Sequence, residues 1–357
     1  MASRPAHLRV ALAQTCPVNA PVTDTAPRHA PFETLEQNLI HVRDQVIKSA
    51  ASEHADVVVF PEYFLQGLVN AGRQYLTFPS RHLTAFLSRL AQAHNISIVG
   101  TIIRPAYDAI EALDTPKDSP FAHIPLTKHP APCAAAPSLA EWEAFVRDNP
   151  VKNHEPALEN TALFIEGGSG QLLGEFVKRN LWHPEREYLA PGSDEHHVFE
   201  TKWGKCGFLI CWDVSHPSAG QVLSDQGVDI VIAPTYWIGY DSAPLSSRPV
   251  FYRRIAVKAI IHKHHRHPPS YESELLASLT YARCFETETV WILCNAGGPA
   301  DEGYIGGSGV WMPLRGKVGG CSGMTAELSV VDVDLTVLKD ARECYMIRED
   351  WSKKNVT

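Results

Sequence analysis

Hydrophobic and polar positions along this chain follow two periodicities, one typical of strands and one typical of helices. The first apolar run, LRVALAQTCPV at residues 8–18, predicts a strand that ends near Gln14. In residues 33–53 the leucines, isoleucines and valines recur mostly three or four positions apart, which predicts an amphipathic helix with one buried face. The next run, ADVVVFPE at residues 55–62, predicts a short buried strand that Pro61 ends. Strands that alternate with helices in this way indicate an α/β fold.

The later parts of the chain repeat this alternation. Residues 80–95 predict a second helix, and residues 96–103 predict a buried strand. Residues 159–180 predict two strands joined by a Gly-Gly-Ser-Gly hairpin turn. Strand, helix and strand patterns follow over residues 205–237, and a helix followed by further strands is expected over residues 272–335. The sequence has no repeat of solenoid length, so these elements are expected to share one sheet-based core.

Two stretches, residues 104–157 and 239–270, break the alternation. Both contain several prolines, so we expect them to be loops that are inserted into a single domain of residues 1–357 and border its binding pocket. The second stretch contains four histidines, His262, His264, His265 and His267. Because neither cysteines nor helix-spaced carboxylates accompany these histidines, a solvated loop is favoured over a metal site.

The composition is that of an ordinary globular protein with an acidic balance. Of the 357 residues, 45% are hydrophobic and 20% charged, and the formal net charge is −8. This balance argues against partners such as nucleic acid or anionic membranes, which attract a basic face. We see neither a secretory signal nor a run long enough to span a membrane, so a cytoplasmic location is expected. The eight cysteines lack CxxC spacing and are interpreted as free thiols, with Cys206 and Cys284 as buried fillers.

Three polar residues follow predicted strands directly. Glu62 follows the run VVVF, Lys178 follows LLGEFV, and Cys211 follows GFLI. In layered α/β folds the carboxyl ends of strands open onto a common crevice where ligands bind. We therefore expect these three side chains to converge, although they are far apart in the sequence.

Their chemistry is complementary. A cysteine is a nucleophile only as a thiolate, so Cys211 needs a neighbour that accepts its proton, and the carboxylate of Glu62 can do so. The ammonium group of Lys178 can stabilise both the thiolate and an oxyanion. Taken singly, each residue also fits a structural role: a capping acid, a solvated lysine and a buried cysteine. Together they predict acyl transfer through a thioester.

A family resemblance appears once these residues are read in context. The stretches VVVFPEYFLQG around Glu62, GEFVKRNLWHPERE around Lys178 and KCGFLICWDVSHP around Cys211 occur in one order along the chain. Together with LRVALAQT, DIVIAPTYW, ARCFETETVWILCNAGG and GGSGVWMPLRGKV, they make the chain resemble members of the nitrilase (carbon–nitrogen hydrolase) superfamily. The resemblance covers nearly the whole chain outside the two proline-containing stretches.

The resemblance implies a four-layer α-β-β-α sandwich and a Glu-Lys-Cys triad. In that triad Glu62 is the general base, Cys211 the nucleophile and Lys178 the oxyanion stabiliser. Members of the family also use a second glutamate after the lysine to position the triad. The stretch KRNLWHPERE offers Glu185 and Glu187 for this role, and the Pro-Glu-Arg context favours Glu185.

The residues around the nucleophile bear on the reaction. The backbone N–H of Trp212 is expected to complete the oxyanion site. Nitrilase branches of the family tend to have Cys-Trp-Glu-Asn, whereas this chain has Cys-Trp-Asp-Val from Cys211, which favours an amidase-like branch. The predicted reaction converts a linear, non-peptide amide into a carboxylic acid and ammonia, without a metal or an organic cofactor. The alternatives are a nitrilase acting on a C≡N group, an acyltransferase and a catalytically silent scaffold.

Aromatic residues close to the three polar residues are candidates for substrate binding: Tyr63, Trp182, Trp212, Tyr236 and Trp237. Small-molecule pockets are often lined by such side chains, although aromatics at strand ends can also simply cap a core. Since no arginine cluster accompanies them, they favour a neutral, medium-sized substrate. The resemblance also implies a homodimer or higher homo-oligomer that pairs through the stretch SHPSAGQVLSDQG after the cysteine.

Overall fold

A computed structural model describes most of the chain: residues 4–20, 30–69, 73–77, 79–106, 119–128, 135–148, 158–241, 268 and 270–353. The strands are β1 (His7–Gln14), β2 (Val57–Val59), β3 (Ser97–Pro105), β4 (Leu158–Ile165), β5 (Leu172–Val177), β6 (Val198–Thr201), β7 (Gly204–Phe208), β8 (Ile230–Thr235), β9 (Val290–Asn295), β10 (Gly309–Met312), β11 (Gly316–Gly320) and β12 (Glu327–Asp334). The helices are α1 (Ala30–Ile47), α2 (Ser80–His94), α3 (Leu139–Asp148), α4 (Pro217–Asp225), α5 (Tyr271–Thr287), α6 (Val337–Tyr345) and α7 (Ile347–Ser352).

The described strands form two six-stranded sheets. The first has the order β12-β1-β2-β3-β4-β5, and the second has the order β11-β10-β9-β8-β7-β6. At the centre of each sheet three strands run parallel, β1, β2 and β3 in the first and β7, β8 and β9 in the second. Parallel strands are typically buried on both faces, and these two triplets consist almost entirely of buried residues. Each sheet is therefore an inner layer of the molecule.

Alternation along β1 shows how the layers are stacked. Leu8, Val10 and Leu12 belong to the core shared by both sheets, where they lie with Phe208 and Ile232 of the second sheet. The intervening residues of β1 turn to the opposite face, because successive side chains of a strand point to opposite sides. Two faces of one strand thus enter two different cores.

Helices cover the outer face of each sheet. On the first sheet, a separate core joins the outward alanines of β1 to α1, through Leu35 and Leu39, and to α2, through Leu83 and Leu90. On the second sheet, α4 and α5 contribute buried side chains to the core beneath them, among them Leu223. The layers therefore run α-β-β-α, and the predicted four-layer sandwich is confirmed.

Two parts of the fold were not expected from the sequence. The strand β6 pairs with β7 at the edge of the second sheet, but its four residues are too few for alternation to reveal it. The helices α6 and α7 follow the last strand, where no element was predicted. Arg348 in α7 donates to the backbone carbonyls of Val228 and Thr287, which attaches this end of the chain to the second sheet.

The first proline-containing stretch is more ordered than expected. Within residues 104–157 the structure contains the helix α3, whose Trp142 stacks on Phe32 with 4.1 Å between ring centroids. Phe121 and Ile124 are buried in the same outer core. The expectation of a loop that borders the pocket is therefore wrong for the described part of this stretch, because its apolar side chains supply surface that α1 and α2 can bury.

Of the second proline-containing stretch, the structure describes residues 239–241, 268 and 270. The histidine group at 262–267 lies outside the described residues. The boundaries of the predicted single domain stay a prediction. No helix among the described ranges is long and apolar enough to cross a bilayer.

Aromatic contacts between the sheets generate a stability prediction. Phe164 of β4 packs against Phe199 of β6, with 5.5 Å between ring centroids, and it is only 2% exposed. Phe164→Ala would leave a cavity between the sheets, so the free energy of unfolding should fall by about 3–5 kcal/mol in urea titrations. Met324→Ala, at a side chain that is 47% exposed, is the control and should change it by less than about 0.5 kcal/mol. Equal effects of the two variants would contradict the inter-sheet core.

Candidate active site

The three polar residues after strands meet at one place. Glu62 lies three residues after β2, Lys178 directly follows β5, and Cys211 lies three residues after β7. The ammonium nitrogen of Lys178 is 2.8 Å from Oε1 of Glu62, and the thiol of Cys211 hydrogen-bonds to the same carboxyl group. The convergence is as expected, but it joins two facing sheets, since Cys211 comes from the second sheet and the other two residues from the first.

Lys178 is fully buried and lies between two carboxylates. Its Nζ donates to Oε1 of Glu62 at 2.8 Å and to both oxygens of Glu185, at 2.9 and 2.7 Å. Burial alone would lower the pKa of Lys178, but the negative charges of Glu185 and Glu62 outweigh it and raise that pKa well above its usual value. The side chain therefore stays a cation at neutral pH.

Glu185 is held on a short 3-10 turn, residues 183–187. Its Oε1 accepts a hydrogen bond of 2.6 Å from the hydroxyl of Tyr63, and its Oε2 accepts one of 2.8 Å from the backbone N–H of Trp182. Burial, followed by the charge of Glu185, raises the pKa of Tyr63 well above its usual value, so the hydroxyl remains a donor. Glu187 is exposed on the same turn. Of the two candidates, the structure brings Glu185 to Lys178.

Glu62 is buried and surrounded by donors. Its Oε1 accepts from Lys178 and also from Nδ2 of Asn160 at 2.6 Å, whereas its Oε2 accepts from the backbone N–H of Tyr236 at 3.1 Å. Burial raises the pKa of Glu62 to about 7, because it and the charge of Glu185 outweigh the lowering effect of Lys178. A carboxyl group with this pKa can both accept and return a proton near neutral pH.

Cys211 begins a second 3-10 turn, Cys211–Ser215, in an uncommon backbone conformation. Its φ is 46°, in the left-handed region that non-glycine residues rarely adopt, and such strain concentrates at functional sites. The side chain is buried, and its thiol faces the carboxyl group of Glu62. Burial, and then the negative charge of Glu62, raises the pKa of the thiol well above its usual value, although Lys178 opposes the rise. The resting thiol is therefore protonated and needs a base.

A buried aspartate links the turn that begins at Cys211 to the loop after Lys178. Asp213 accepts two hydrogen bonds of 2.8 Å on Oδ1, from the backbone N–H and the side-chain Nδ2 of Asn180, and one of 3.0 Å on Oδ2 from the backbone N–H of Ile210. Asn180 lies two residues after Lys178, and Ile210 directly precedes Cys211. Asp213 therefore fixes Cys211 relative to Lys178.

Sequence reasoning missed the supporting roles of Asn160, Asn180 and Asp213. Asp213 was used only as a marker of the amidase-like branch. An aspartate two residues after the first residue of a turn is typical of a side chain that caps the turn's N–H groups, and this signal could have revealed its role. The contacts of Asn160 and Asn180 cross between distant parts of the chain, so no local pattern reports them.

The five aromatic candidates line one cavity of about 90 Å³ over Cys211: Tyr63, Trp182, Trp212, Tyr236 and Trp237. The ring of Trp212 lies 4.4 Å from that of Trp182 and 5.4 Å from that of Trp237, measured between centroids. Tyr240 and Asp241, near the start of the second proline-containing stretch, line the same cavity. That stretch therefore borders the pocket, as predicted.

The wall after β8 is anchored by buried polar contacts. Nε1 of Trp237 donates to Glu272 of α5 at 2.7 Å, and the backbone N–H of Trp237 donates to Oδ1 of Asn295 at 2.8 Å. The hydroxyls of Tyr236 and Tyr304 lie 2.7 Å apart. These bonds hold Tyr236 in place, and with it the backbone N–H that reaches Glu62.

Among the described residues no group of three or more histidine, cysteine, aspartate or glutamate side chains is arranged to hold a metal ion. The pocket instead combines the thiol of Cys211 and the carboxyl group of Glu62, which contacts the ammonium group of Lys178, with aromatic walls. This set of groups, held between two paired sheets, suits an enzyme that cleaves carbon–nitrogen bonds.

Comparisons with known proteins agree with this class. The sequence pattern of the family described as carbon-nitrogen hydrolase matches residues 9–115 and 132–343. The chain therefore belongs to the carbon–nitrogen hydrolase family, within the nitrilase superfamily.

Individual relatives match over shorter stretches. A probable nitrilase of Schizosaccharomyces pombe is 35% identical over 78 residues, covering 22% of this chain and 28% of the relative. An N-carbamoylputrescine amidase of Arabidopsis thaliana is 31% identical over 120 residues, covering 30% of this chain and 40% of the relative. A pantetheinase of Sus scrofa is 22% identical over 228 residues, covering 62% of this chain and 39% of the relative. The chain thus spans less than half the length of each of these relatives.

Solved structures resemble the chain over nearly its whole length. A carbon-nitrogen hydrolase from Helicobacter pylori G27 superposes with a TM-score of 0.65 at 14% identity, covering 97% of this chain and 95% of the other. The amidase from Nesterenkonia sp. AN1, solved as a double mutant in complex with acrylamide, superposes with a TM-score of 0.57 at 18% identity, covering 98% and 99%. At these identities the likeness is evidence for the fold.

The aspartate link generates a prediction. Asp213→Ala would leave the N–H groups of Ile210 and Asn180 without their acceptor, so the free energy of unfolding should fall by about 1–3 kcal/mol in thermal or urea unfolding. Asp340→Ala, on the exposed surface of α6, is the control and should be nearly neutral. If Asp213→Ala were as stable as this control, Asp213 would not be the link described here.

Proposed function

We propose that this protein hydrolyses a linear, non-peptide amide to a carboxylic acid and ammonia through a thioester on Cys211. The observation that carries the proposal is the hydrogen bond from a protonated thiol to Glu62, a carboxyl group whose pKa of about 7 suits a general base. Lys178, held 2.8 Å from that carboxyl group, supplies the positive charge that such a reaction needs.

The first half of the reaction forms the thioester. Glu62 accepts the thiol proton, and the sulfur of Cys211 bonds to the amide carbon while the C=O π electrons move to oxygen. Nζ of Lys178 and the backbone N–H of Trp212 stabilise the resulting oxyanion. The C–N bond then breaks, and the nitrogen leaves as ammonia with the proton that Glu62 returns.

The second half regenerates the thiol. Glu62 accepts a proton from water, whose oxygen attacks the thioester carbon. The C–S bond breaks, the carboxylic acid leaves, and Cys211 recovers its proton from Glu62. Glu185 acts as a positioning residue throughout, because its two bonds to Lys178 and its bond from Tyr63 fix the ammonium group.

The pocket favours an uncharged acyl group. Its walls are chiefly aromatic, and no lysine or arginine is among its described lining residues. Lys178, which contacts the lining residues Glu62 and Glu185, already lies against both of their carboxylates. A carboxylate-bearing acyl group would therefore meet Glu62, Glu185 and Asp241 without a cation in the described lining to pair with. Asp213 in place of the glutamate typical of nitrilase branches favours the amide over the nitrile.

The first experiment measures ammonia release from a panel of amides, nitriles and N-carbamoyl compounds. We expect release from small neutral amides by the wild type and none by Cys211→Ala, because the substitution removes the nucleophile. Cys206→Ala is the matched control, since Cys206 is a buried cysteine of β7 outside the pocket and should leave turnover in place. Circular dichroism should show both variants folded.

Each other outcome has a definite meaning. Release from nitriles alone would make the protein a nitrilase, and release from N-carbamoyl compounds alone would make it a carbamoylase. An amide product that appears only when an amine is added would indicate acyl transfer. Turnover that survives in Cys211→Ala would refute the thioester mechanism. Silence on every compound would leave a substrate outside the panel or the scaffold, which mass spectrometry for an acyl group on Cys211 would distinguish.

We also propose that the protein forms a homodimer or higher homo-oligomer through the outer layer of α4 and α5. This layer exposes large apolar side chains, with Tyr281 53% and Phe285 43% exposed, and Tyr345 of α6 adjoins Phe285. Light scattering after size exclusion should give at least twice the mass of the chain, and Tyr281→Ser with Phe285→Ser should reduce it. A wild-type monomer at micromolar concentration would refute this interface.

A further inference from the structure

The two oxygens of Glu62 have different surroundings. Oε1 accepts hydrogen bonds from Lys178 at 2.8 Å and from Asn160 at 2.6 Å. Oε2 accepts from the backbone N–H of Tyr236 at 3.1 Å. The same N–H also hydrogen-bonds to Cys211, so Oε2 is the oxygen on the side of the thiol. Two side-chain donors thus bind Oε1 of Glu62, and Oε2 is the oxygen that faces Cys211.

Asn160 lies between the base and the lysine. It belongs to β4 and is fully buried, and its side chain reaches Glu62 while its backbone carbonyl accepts the N–H of Lys178 at 2.8 Å. A single residue therefore sets the position of both groups. Because a carboxylate only accepts hydrogen bonds, the NH₂ group of Asn160 must be the end that faces it.

The other end of this amide has no donor among the described residues, since Oδ1 of Asn160 is buried without a hydrogen-bond partner. An unpaired buried carbonyl is unfavourable, and an apolar residue of the same size would avoid that cost. The hydrogen bond from its NH₂ group to Glu62 therefore explains why an amide occupies this position, because the carbonyl of the same amide has no described hydrogen-bond partner.

A neutral donor has a specific advantage here. Burial raises the pKa of Glu62 to about 7, and Lys178, which also pairs with Glu185, lowers that pKa only in part. A second cation at position 160 would stabilise the carboxylate so strongly that it would become a weak base. An amide holds the carboxylate in place and stabilises it moderately, so the group stays able to accept a proton.

We propose that Asn160 is a positioning residue that, with Lys178, occupies Oε1 of Glu62 and directs the proton of Cys211 onto Oε2. This inference rests on the proposed function, in which Glu62 is the base. The proton moves from Sγ to Oε2 and later from Oε2 to the departing nitrogen. Asn160 keeps both of its own protons throughout.

The test measures how fast iodoacetamide alkylates Cys211 as a function of pH, which needs no substrate. The sulfur forms a bond to the methylene carbon, iodide leaves, and Glu62 takes the thiol proton. Mass spectrometry of the peptide that contains Cys211 follows the reaction from about pH 5 to pH 9. The variants are Asn160→Leu, which keeps the volume and removes the donor, and Glu62→Gln, which removes the base.

Thr161→Val is the matched control. Thr161 is the next residue of β4, is fully buried and has a hydroxyl without a hydrogen-bond partner among the described residues, so this isosteric change tests for a merely structural effect. Thermal unfolding checks that each variant is folded. Asn160→Ser, whose hydroxyl is too short to reach Glu62, replaces Asn160→Leu if the latter does not fold.

In the wild type and in Thr161→Val we expect the alkylation rate to rise with a midpoint near the pKa of Glu62, about 7. Loss of the donor destabilises the ionised carboxylate, which raises its pKa, so Asn160→Leu should shift the midpoint upward by about one pH unit or more. Glu62→Gln should abolish this midpoint.

Other results overturn the inference in recognisable ways. An unshifted midpoint in Asn160→Leu, or an equal shift in Thr161→Val, would reject Asn160 as a positioning residue while the proposed function stands. A wild-type midpoint that persists in Glu62→Gln would reject Glu62 as the base. That result would overturn the proposed function together with this inference.

Discussion

One ammonium group shared by two carboxylates is the interaction on which the site depends. Lys178 is fully buried, and it lies within 2.9 Å of both Glu62 and Glu185. Moving such charges out of water is costly, and it is tolerated only where the charges meet each other and further donors. Burial raises the pKa of Glu62 to about 7, because burial and the charge of Glu185 together outweigh the lowering effect of Lys178. A carboxyl group with this pKa can accept a proton near neutral pH.

The rest of the structure keeps these three charged side chains buried and holds them in position. Glu62 and Lys178 follow the first sheet and Cys211 follows the second, so the packing of the two sheets brings the thiol of Cys211 to the carboxyl group of Glu62. Asp213 then links the turn that begins at Cys211 to the loop after Lys178. Each of these side chains comes from a different element, so the geometry of the site persists only while the sandwich is intact. The core between the sheets therefore supports the site together with the polar residues.

A buried polar network supports the side of the pocket after β8. Asn295 accepts from the N–H of Trp237 and donates to its carbonyl, and Ser308 joins Asn295 to Gln14 of β1. All these residues lie at the carboxyl ends of their strands or in the loops beyond. Polar groups that are buried with their partners satisfied favour one arrangement of the surrounding elements. The network therefore fixes the backbone of Tyr236, whose N–H donates to Glu62.

The sequence pattern by itself determined the α/β alternation, the candidates Glu62, Lys178 and Cys211, and the aromatic residues of the pocket, because alternation reports which residues are buried and strand exits report where polar residues gather. The four-layer sandwich and the preference for Glu185 over Glu187 were what the family resemblance implied. Only the tertiary structure revealed Asn160 and the link made by Asp213, since their partners are distant in sequence. Only the tertiary structure decided the raised pKa of Glu62 and the position of α3 on the outer layer. Both depend on burial, and burial depends on every element that packs nearby.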